Sequence, residues 1–333
     1  MTKATYDVLG VGNAIVDVIS PVLEDFLGEH DIPKGGMTLI DQPQAEKLTG
    51  AFGDDVTQIS GGSAANTIAG VASYGLKAAY IGKTADDEMG QSFREGMTAI
   101  GVHYDTTPLT GGPSTARCLI AVTPDGERSM STFLGASPMF SEADLDADLI
   151  KDSAIVFLEG YLFDMPEAKA AFVRAAEIAA AAGRKVALTL SDGFCVDRHR
   201  DSFRHLVKNH VDILFANEGE ILSLYEVDDF DAAAAEVRKE CTLAALTRSE
   251  KGSSIVTRNE VIHVAAEPID RLVDATGAGD LYAAGFLSGM AKGLPLDQCG
   301  KLGSIAAAEV ISHFGARPET SLKDLAGGKG VSL

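Results

Sequence analysis

Asp274-Ala-Thr-Gly-Ala-Gly-Asp280 runs without a break into the apolar stretch Leu281–Met290. Its apolar residues recur as on a helix, so the spacing predicts a helix over Gly277–Lys292 with the glycines at its entry. Gly277 and Gly279 leave the backbone bare where the first N–H groups of a helix have no intrahelical partner. Such a turn is a natural cradle for a phosphate or an oxyanion. Asp280 falls in the first turn, beside the place an anion would occupy. Phosphoryl transfer needs this pairing: N–H groups for the charge on the transferred oxygens, and a base that orients and deprotonates the attacking hydroxyl. Gly and Asp also cap helices with no further role. Two acids flanking Thr-Gly-Ala-Gly tilt this segment toward chemistry.

Outward from that segment the chain alternates. Asp7–Gly12, Ala78–Gly82, Ala154–Glu159, Val186–Ser191, Asp212–Ala216 and Leu243–Thr247 read as strands. Gly61–Tyr74, Asp86–Ile100, Pro166–Gly183, Asp201–Asn209, Asp231–Cys241 and Leu296–His313 read as helices. This pattern predicts an α/β fold, a mostly parallel central sheet with helices on both faces. Ser253–Thr257 and Val261–Val264 read as a hairpin. Between Val102 and Gly135 the texture changes. Thr115–Thr123 and Ser129–Leu134 are β-rich and joined by the turn Pro124-Asp-Gly-Glu127. Asn13–Ser20 extends the first strand or starts another, and Pro33–Gly36 punctuates the chain before Met37–Ile40. A small separate sheet is expected, built from 15–40 and 102–135, beside a large unit of 1–14, 41–101 and 136–333. The tail after Pro318 is expected to fray.

Composition excludes several classes. Lys and Arg number 28 against 48 Asp and Glu, a net charge of −20, which argues against a nucleic-acid partner. Hydrophobic residues make up 46%, enough for a full core. No run reaches the length of a membrane span, and the N-terminus lacks a secretory pattern, so a cytoplasmic protein without a membrane partner is expected. Cys118, Cys195, Cys241 and Cys299 form no CxxC pair, which argues against structural zinc and for a reducing compartment. No GxxxxGK[ST] occurs, and Gly10-Val-Gly12-Asn-Ala-Ile15 lacks the third glycine of a dinucleotide fingerprint.

Four motifs together resemble the ribokinase-like (PfkB) family of carbohydrate and nucleoside kinases, and within it the adenosine kinase-like members. Asp274–Asp280 matches the C-terminal signature, Gly61-Gly-Ser-Ala-Ala-Asn66 the N-terminal glycine motif, and Asn217-Glu-Gly-Glu220 the Asn-x-x-Glu motif. Asp17, after Gly10-Val-Gly-Asn13, matches the acid that grips sugar hydroxyls. The order and spacing of the four cover nearly the whole chain. The resemblance implies Asp280 as catalytic base, with Gly277, Ala278 and Gly279 as the anion hole. It implies substrate contacts from Asn13, Asp17, Gly61, Gly62 and Asn66. Asn217, Thr247 and Gly252, with Gly277 and Gly279, would meet the nucleotide; Glu220 with Asn217 would handle magnesium. The implied cofactors are ATP and Mg²⁺, with K⁺ a further candidate. Arg128 is either a solvated turn residue or a lid arginine reaching the transferred phosphate. The small sheet would be a lid that excludes water, and both a monomer and a lid-paired homodimer stay open.

The substrate would be a small molecule, a nucleoside or a free sugar. Ser63 stands where ribokinases carry lysine, and His313-Phe-Gly-Ala-Arg317-Pro318 and Arg128–Ala136 resemble adenosine kinase-like stretches. A purine nucleoside, adenosine first, is therefore expected to receive the γ-phosphate of ATP on its 5′-hydroxyl. Tyr161 and Phe133 are candidates to sandwich the base, with core packing the alternative expected first for each. A sugar kinase for ribose, fructose or 2-keto-3-deoxygluconate is the rival, and an inactive binding protein on the same fold a remoter one.

Overall fold

The computed structural model describes residues 3–53 and 55–333, so Met1 and Thr2 of the segment 1–14 and Asp54 of 41–101 lie outside the described residues. The strands in chain order are β1 (Tyr6–Val11), β2 (Ile15–Pro21), β3 (Met37–Leu39), β4 (Thr57–Gly61), β5 (Ala78–Ile81), β6 (His103–Tyr104) and β7 (Ala116–Val122). They continue as β8 (Arg128–Phe133), β9 (Ser153–Glu159), β10 (Lys185–Thr189), β11 (Ile213–Asn217), β12 (Leu243–Thr247), β13 (Ser253–Thr257) and β14 (Val261–Val264). One sheet has the order β14-β13-β12-β11-β10-β9-β1-β5-β6 and the other β3-β8-β7-β2-β4. From β12 to β6 the large sheet is parallel; β13 and β14 add antiparallel.

Apolar helix faces cover both sides of the large sheet, as expected of strands buried on both faces. One core gathers the helices Ser63–Ser73, Ala278–Ala291 and Leu296–Val310 around Tyr80, Phe157 and Phe215. The other gathers Pro166–Ala181, Gly193–His210, Glu218–Tyr225 and Phe230–Glu240 around Val156, Leu158 and Leu188. From β1 the chain builds outward to β5 and β6, then returns to the opposite side of β1 as β9. The strand order reverses there, and open α/β sheets bind ligands at the carboxyl ends of the strands flanking such a switch.

Four local expectations change. Thr57–Gly61, assigned above to the large unit, is β4 of the small sheet, because it pairs antiparallel with β2 from Ile15↔Gly61 to Ile19↔Thr57. His103–Tyr104, assigned to the small unit, joins the large sheet beside β5, where the Tyr104 hydroxyl donates to the Gly82 carbonyl at 2.9 Å. The tail does not fray after Pro318: Leu322–Gly328 is helical, Leu322 and Ala326 are buried, and the Leu322 N–H donates to Ser73 Oγ at 3.0 Å. The helix expected over Asp201–Asn209 starts earlier, at Gly193, with Asp192 capping the Cys195 N–H at 2.6 Å and a non-helical residue at His199. Among the described residues, no helix is long and apolar enough to cross a membrane.

Candidate active site

A cavity of about 560 Å³ lies between the two sheets. Its floor is made of residues at or just beyond strand ends: Asn13 after β1, Glu159 on β9, Thr189 on β10, Asn217 on β11 and Thr247 on β12. Its roof is one face of the small sheet. Side chains alternate along a strand, so β2 offers Ile15 and Asp17, β3 Met37 and Leu39, β7 Cys118 and Ile120, and β8 Arg128, Met130 and Thr132. Register brings them together: Asp17 lies opposite Cys118, Cys118 opposite Thr132, Ile120 and Met37 opposite Met130. Val16, Val18, Leu119, Ala121 and Phe133, with the opposite parity, turn into the core instead. Phe133 therefore cannot sandwich a base in this cavity. Tyr161 does line it, with its hydroxyl donating to the Ser191 carbonyl at 3.4 Å.

The glycine-rich segment forms the N-terminus of the Ala278–Ala291 helix. Gly277 takes the left-handed conformation (φ 80°), and a methyl there would stand 2.8 Å from Ala316 Cα. The helix first closes with the Leu281 N–H on the Gly277 carbonyl, at 2.9 Å. Among the described residues the Gly279 and Asp280 N–H groups have no backbone acceptor, and Gly279 has open space where a side chain would be. Gly277, Ala278, Gly279 and Asp280 all line the cavity.

Asp280 is held by two donors from the Ser63–Ser73 helix: Ser63 Oγ at 2.6 Å to one carboxylate oxygen and Asn66 Nδ2 at 3.1 Å to the other. The Thr67 hydroxyl donates to the Asp280 carbonyl at 3.1 Å, locking the two helix starts together. Burial raises the carboxyl above its ordinary range, opposed by Ser63, Asn66 and Arg317. Asp17 stands on the roof, and Gly61 makes its space: a Cβ at Gly61 would sit within 2.7 Å of all three Asp17 carboxylate atoms. Gly61 thus supports Asp17 from behind and is not a cavity wall, while Gly62 is one. Arg128 lines the cavity and is paired with Asp274, which also accepts from the Thr276 and Gly315 N–H groups at 2.9 and 3.0 Å.

Asn217 and Glu220 form a reciprocal cap at the start of the Glu218–Tyr225 helix. Asn217 Oδ1 accepts from the Glu220 N–H at 2.9 Å, and Glu220 accepts from the Asn217 backbone and side-chain N–H groups at 3.0 and 2.6 Å. Both ends of the Asn217 amide are engaged in orienting Glu220. Gly252 is not brought to the cavity. It turns β12 into β13 at φ 82°, where a side chain would overlap the Val264 carbonyl oxygen.

Several site residues escaped the sequence reading. Glu159, only 1% exposed, accepts from Asn13 Nδ2 at 2.7 Å and from the Ala64 N–H at 2.8 Å, tying the end of β1 to the first turn of the Ser63–Ser73 helix. Asp192, Phe194 and Arg198 line the floor from the Gly193–His210 helix and its cap. The aliphatic roof was the one readable signal, since period-two alternation alone places Met37, Leu39, Ile120 and Met130 on the face that carries Asp17.

Three cavity carboxyls share an electrostatic condition. Burial pushes Asp17 up to about 6, against the pull of Arg128 and Arg317. Burial likewise pushes Glu159 and Glu220 up to about 7, and Asp280 adds to both shifts. A carboxyl whose pKa is higher folded than unfolded binds more protons in the folded state, so stability falls as pH rises through that window. Asp87 and Asp274 behave oppositely: hydrogen bonds outweigh burial and hold them below the usual range, and their contribution is lost only under acid conditions. The melting temperature of the ligand-free protein should therefore rise on acidification from about pH 7.5 to about 5.5 and fall again below about pH 4. A steady fall across the first interval would show that these carboxyls are not held in this way.

A family model for the pfkB family carbohydrate kinases matches residues 30–322. The chain belongs to this family. Adenosine kinase from Sinorhizobium meliloti is 50% identical in sequence, with a TM-score of 0.90 over 98% of this chain and all of that one. A probable sugar kinase from Rhizobium etli is 48% identical, also at 0.90, over 98% and 99% of the two chains. Adenosine kinase 1 of Arabidopsis thaliana is 26% identical over 95% of this chain and 97% of its own length. As a PfkB kinase the protein is an ATP-dependent phosphotransferase with an alcohol group as acceptor.

Proposed function

We propose that this PfkB kinase moves the γ-phosphate of ATP to the 5′-hydroxyl of a purine nucleoside, adenosine first among them. The observation that carries this reading is the chemistry of the roof. Among the described residues Asp17 is the one carboxylate on that face. Arg128, paired with Asp274, and Thr132 are also there, and Ile15, Met37, Leu39, Ile120, Met130 and Leu134 form an aliphatic slot beside them. A ribose needs polar partners on one edge only, and its base would fill the aliphatic slot. A free hexose placed there would bury hydroxyls without partners, which is costly. The two relatives near half identity carry different names, adenosine kinase and probable sugar kinase, so the roof rather than overall likeness supports the choice.

In this reading the acceptor hydroxyl lies beside Asp280, which takes its proton as the oxygen attacks phosphorus. Ser63 and Asn66 hold the carboxylate in orientation throughout. The Gly279 and Asp280 N–H groups receive the charge on the transferred oxygens. Arg128 reaches the same oxygens once released from Asp274. The donor set suits a hydrated dication: Glu220 is a buried carboxylate short of positive charge, and among the described residues no group of three His, Cys, Asp or Glu makes an all-protein metal cage. Glu220 would hold magnesium through water, and the ion would supply charge neutralisation on the phosphates. Small-sheet residues over the cavity exclude water, which protects ATP from hydrolysis.

The test is ATP consumption with adenosine, inosine, guanosine, ribose, fructose and 2-keto-3-deoxygluconate, with magnesium and with or without potassium. Adenosine should be the best acceptor. Efficient phosphorylation of a free sugar with adenosine inert would overturn the nucleoside reading and leave the kinase standing.

Asp17 offers a sharper check. Its carboxylate would accept from the vicinal ribose hydroxyls, a charge-assisted contact worth about 1.5–3 kcal/mol. Asp17→Ala should weaken adenosine binding accordingly while leaving 2′,3′-dideoxyadenosine nearly unaffected. Equal losses for both ligands would rule out the contact.

A further inference from the structure

We propose that Arg317 is a positioning residue for phosphoryl transfer: its guanidinium fixes which way the Asn66 amide faces, and so holds the Asp280 carboxylate in its working orientation beside a compensating positive charge. The proposal rests on the reading of Asp280 as the base.

The geometry is a chain of three side chains. Arg317 Nε donates to Asn66 Oδ1 at 3.3 Å, and Asn66 Nδ2 donates to Asp280 Oδ2 at 3.1 Å. An amide has an accepting end and a donating end, whereas a guanidinium only donates. With arginine on one side, Asn66 can present only its oxygen there, so its N–H₂ must face Asp280. Ionised Asp280 only accepts and favours the same orientation. Glutamine or serine in place of Arg317 could also accept from the amide N–H₂ and would remove the part of the bias that comes from the far side. Asn66 is buried at the edge of the cavity, so few groups besides Arg317 and Asp280 reach its amide. The other side of the guanidinium rests on buried Met97, with Nη2 3.4 Å from Sδ.

The segment carrying Arg317 is fastened to the same machinery. Ala316 packs on Gly277 at the start of the Asp280 helix, and the Gly315 N–H donates to Asp274. The backbone that carries Arg317 is thus tied to the glycine turn on which Asp280 stands.

Charge argues the same way. The charged and titratable groups that act on Asp280 or Arg317 include Asp17 on β2, Tyr80 on β5, Glu159 on β9, Tyr161 just beyond it and Glu220 on its helix, while Arg128 on β8 acts on Asp17. Arg128 is committed to Asp274. Arg317 is the cation that acts on both Asp17 and Asp280, two carboxylates that must be ionised at once; Arg128 acts on Asp17 beside it. Burial pushes its guanidinium down to about 10, with Asp17, Tyr80 and Asp280 pulling it back, so it stays protonated at neutral pH.

The experiment is the pH profile of kcat/KM for adenosine, from about pH 5 to 9, in the full-length protein and in Arg317→Met, Arg317→Gln and Arg317→Lys. Removing the charge in the first two should move the acid limb upward by on the order of one pH unit. Arg317→Lys keeps the charge but loses the planar fork. Its acid limb should stay in place. Because an ammonium also only donates, it should keep Asn66 facing the same way, so of the three variants its kcat should stay closest to the parent's. An unmoved limb in the Met and Gln variants, or a Lys variant whose limb moves and whose kcat falls as far as theirs, overturns the proposal. So does failure of all three to fold, which would assign Arg317 to the fold alone. An active Asp280→Asn enzyme would instead fault the base assignment. An inactive one with an unmoved limb in Arg317→Met faults only the role given to Arg317.

Discussion

Asp280→Asn should fold and bind ATP as the parent does, yet lose about 10²–10⁴ of its turnover, the usual cost of removing a general base. The surroundings accept the change without rebuilding. Ser63 Oγ, now a donor at 2.6 Å, can rotate to accept from the new amide N–H₂. The new amide oxygen takes the place of the carboxylate oxygen that receives Asn66 Nδ2. The Thr67 bond to the residue 280 carbonyl involves only backbone on that side and stays. What disappears is the ability to take a proton, together with one negative charge opposite Asp17 and Arg317. Near-ultraviolet circular dichroism and ATP titration check that the variant is intact, and single-turnover transfer to adenosine checks the chemistry. A variant that keeps more than half of parental turnover would remove Asp280 from the role of base. Loss of ATP binding in step with turnover would mean that the carboxylate organises the glycine turn instead.

The parts of this site that could be read from the sequence are those whose chemistry is local. The Asp274–Asp280 cradle and the central strands of the large sheet are each set within a few neighbouring residues, and the structure builds them where the spacing put them, whereas the Glu218–Tyr225 helix that Asn217 caps was not expected. Pairing across long distances is a different matter. β4 follows a loop and a helix that gave no sign of its partner, and only the register of Ile15 against Gly61 reveals that Gly61 makes room for Asp17. Glu159 reads as the last residue of an apolar strand; its meaning lies in two donors, at Asn13 and Ala64, far away in sequence. Arg317 stood out in the sequence only as part of a resemblance, because its partners sit on five separate elements. Phe133 shows the converse. Aromatic character suggested a base-stacking role, and strand parity, also readable from sequence, excluded it. The terminal helix was missed for a related reason: Leu322 and Ala326 look unremarkable until Ser73 supplies the place where they dock.

Gly62→Ala should damage both the stability of the fold and the chemistry of the site. Gly62 closes β4 and caps the Ser63–Ser73 helix at φ 100° and ψ 139°, a region that side chains scarcely enter. That strain alone costs about 1–3 kcal/mol. The added methyl would also overlap the Asn13 carbonyl oxygen, which is backbone and already accepts from the Tyr80 hydroxyl at 2.7 Å. Two responses are open, and each damages the site. If Asn13 yields, it leaves Tyr80 and the Glu159 carboxylate, and the end of β1 shifts. If the helix start yields, Ser63 and Asn66 move away from Asp280, and misplacement of about 1 Å can cost about 10² in rate. The expectation is a clear drop in melting temperature together with a loss of about 10² or more in kcat/KM for adenosine. Gly101→Ala separates the two effects: Gly101 also has a positive φ of 80°, but open space where a Cβ would stand. It should lose stability through strain and keep parental turnover. If Gly62→Ala matches Gly101→Ala in both measurements, the close approach of Gly62 to Asn13 does not govern the site, and the link from the end of β1 through the helix start to Asp280 is not the one the enzyme depends on.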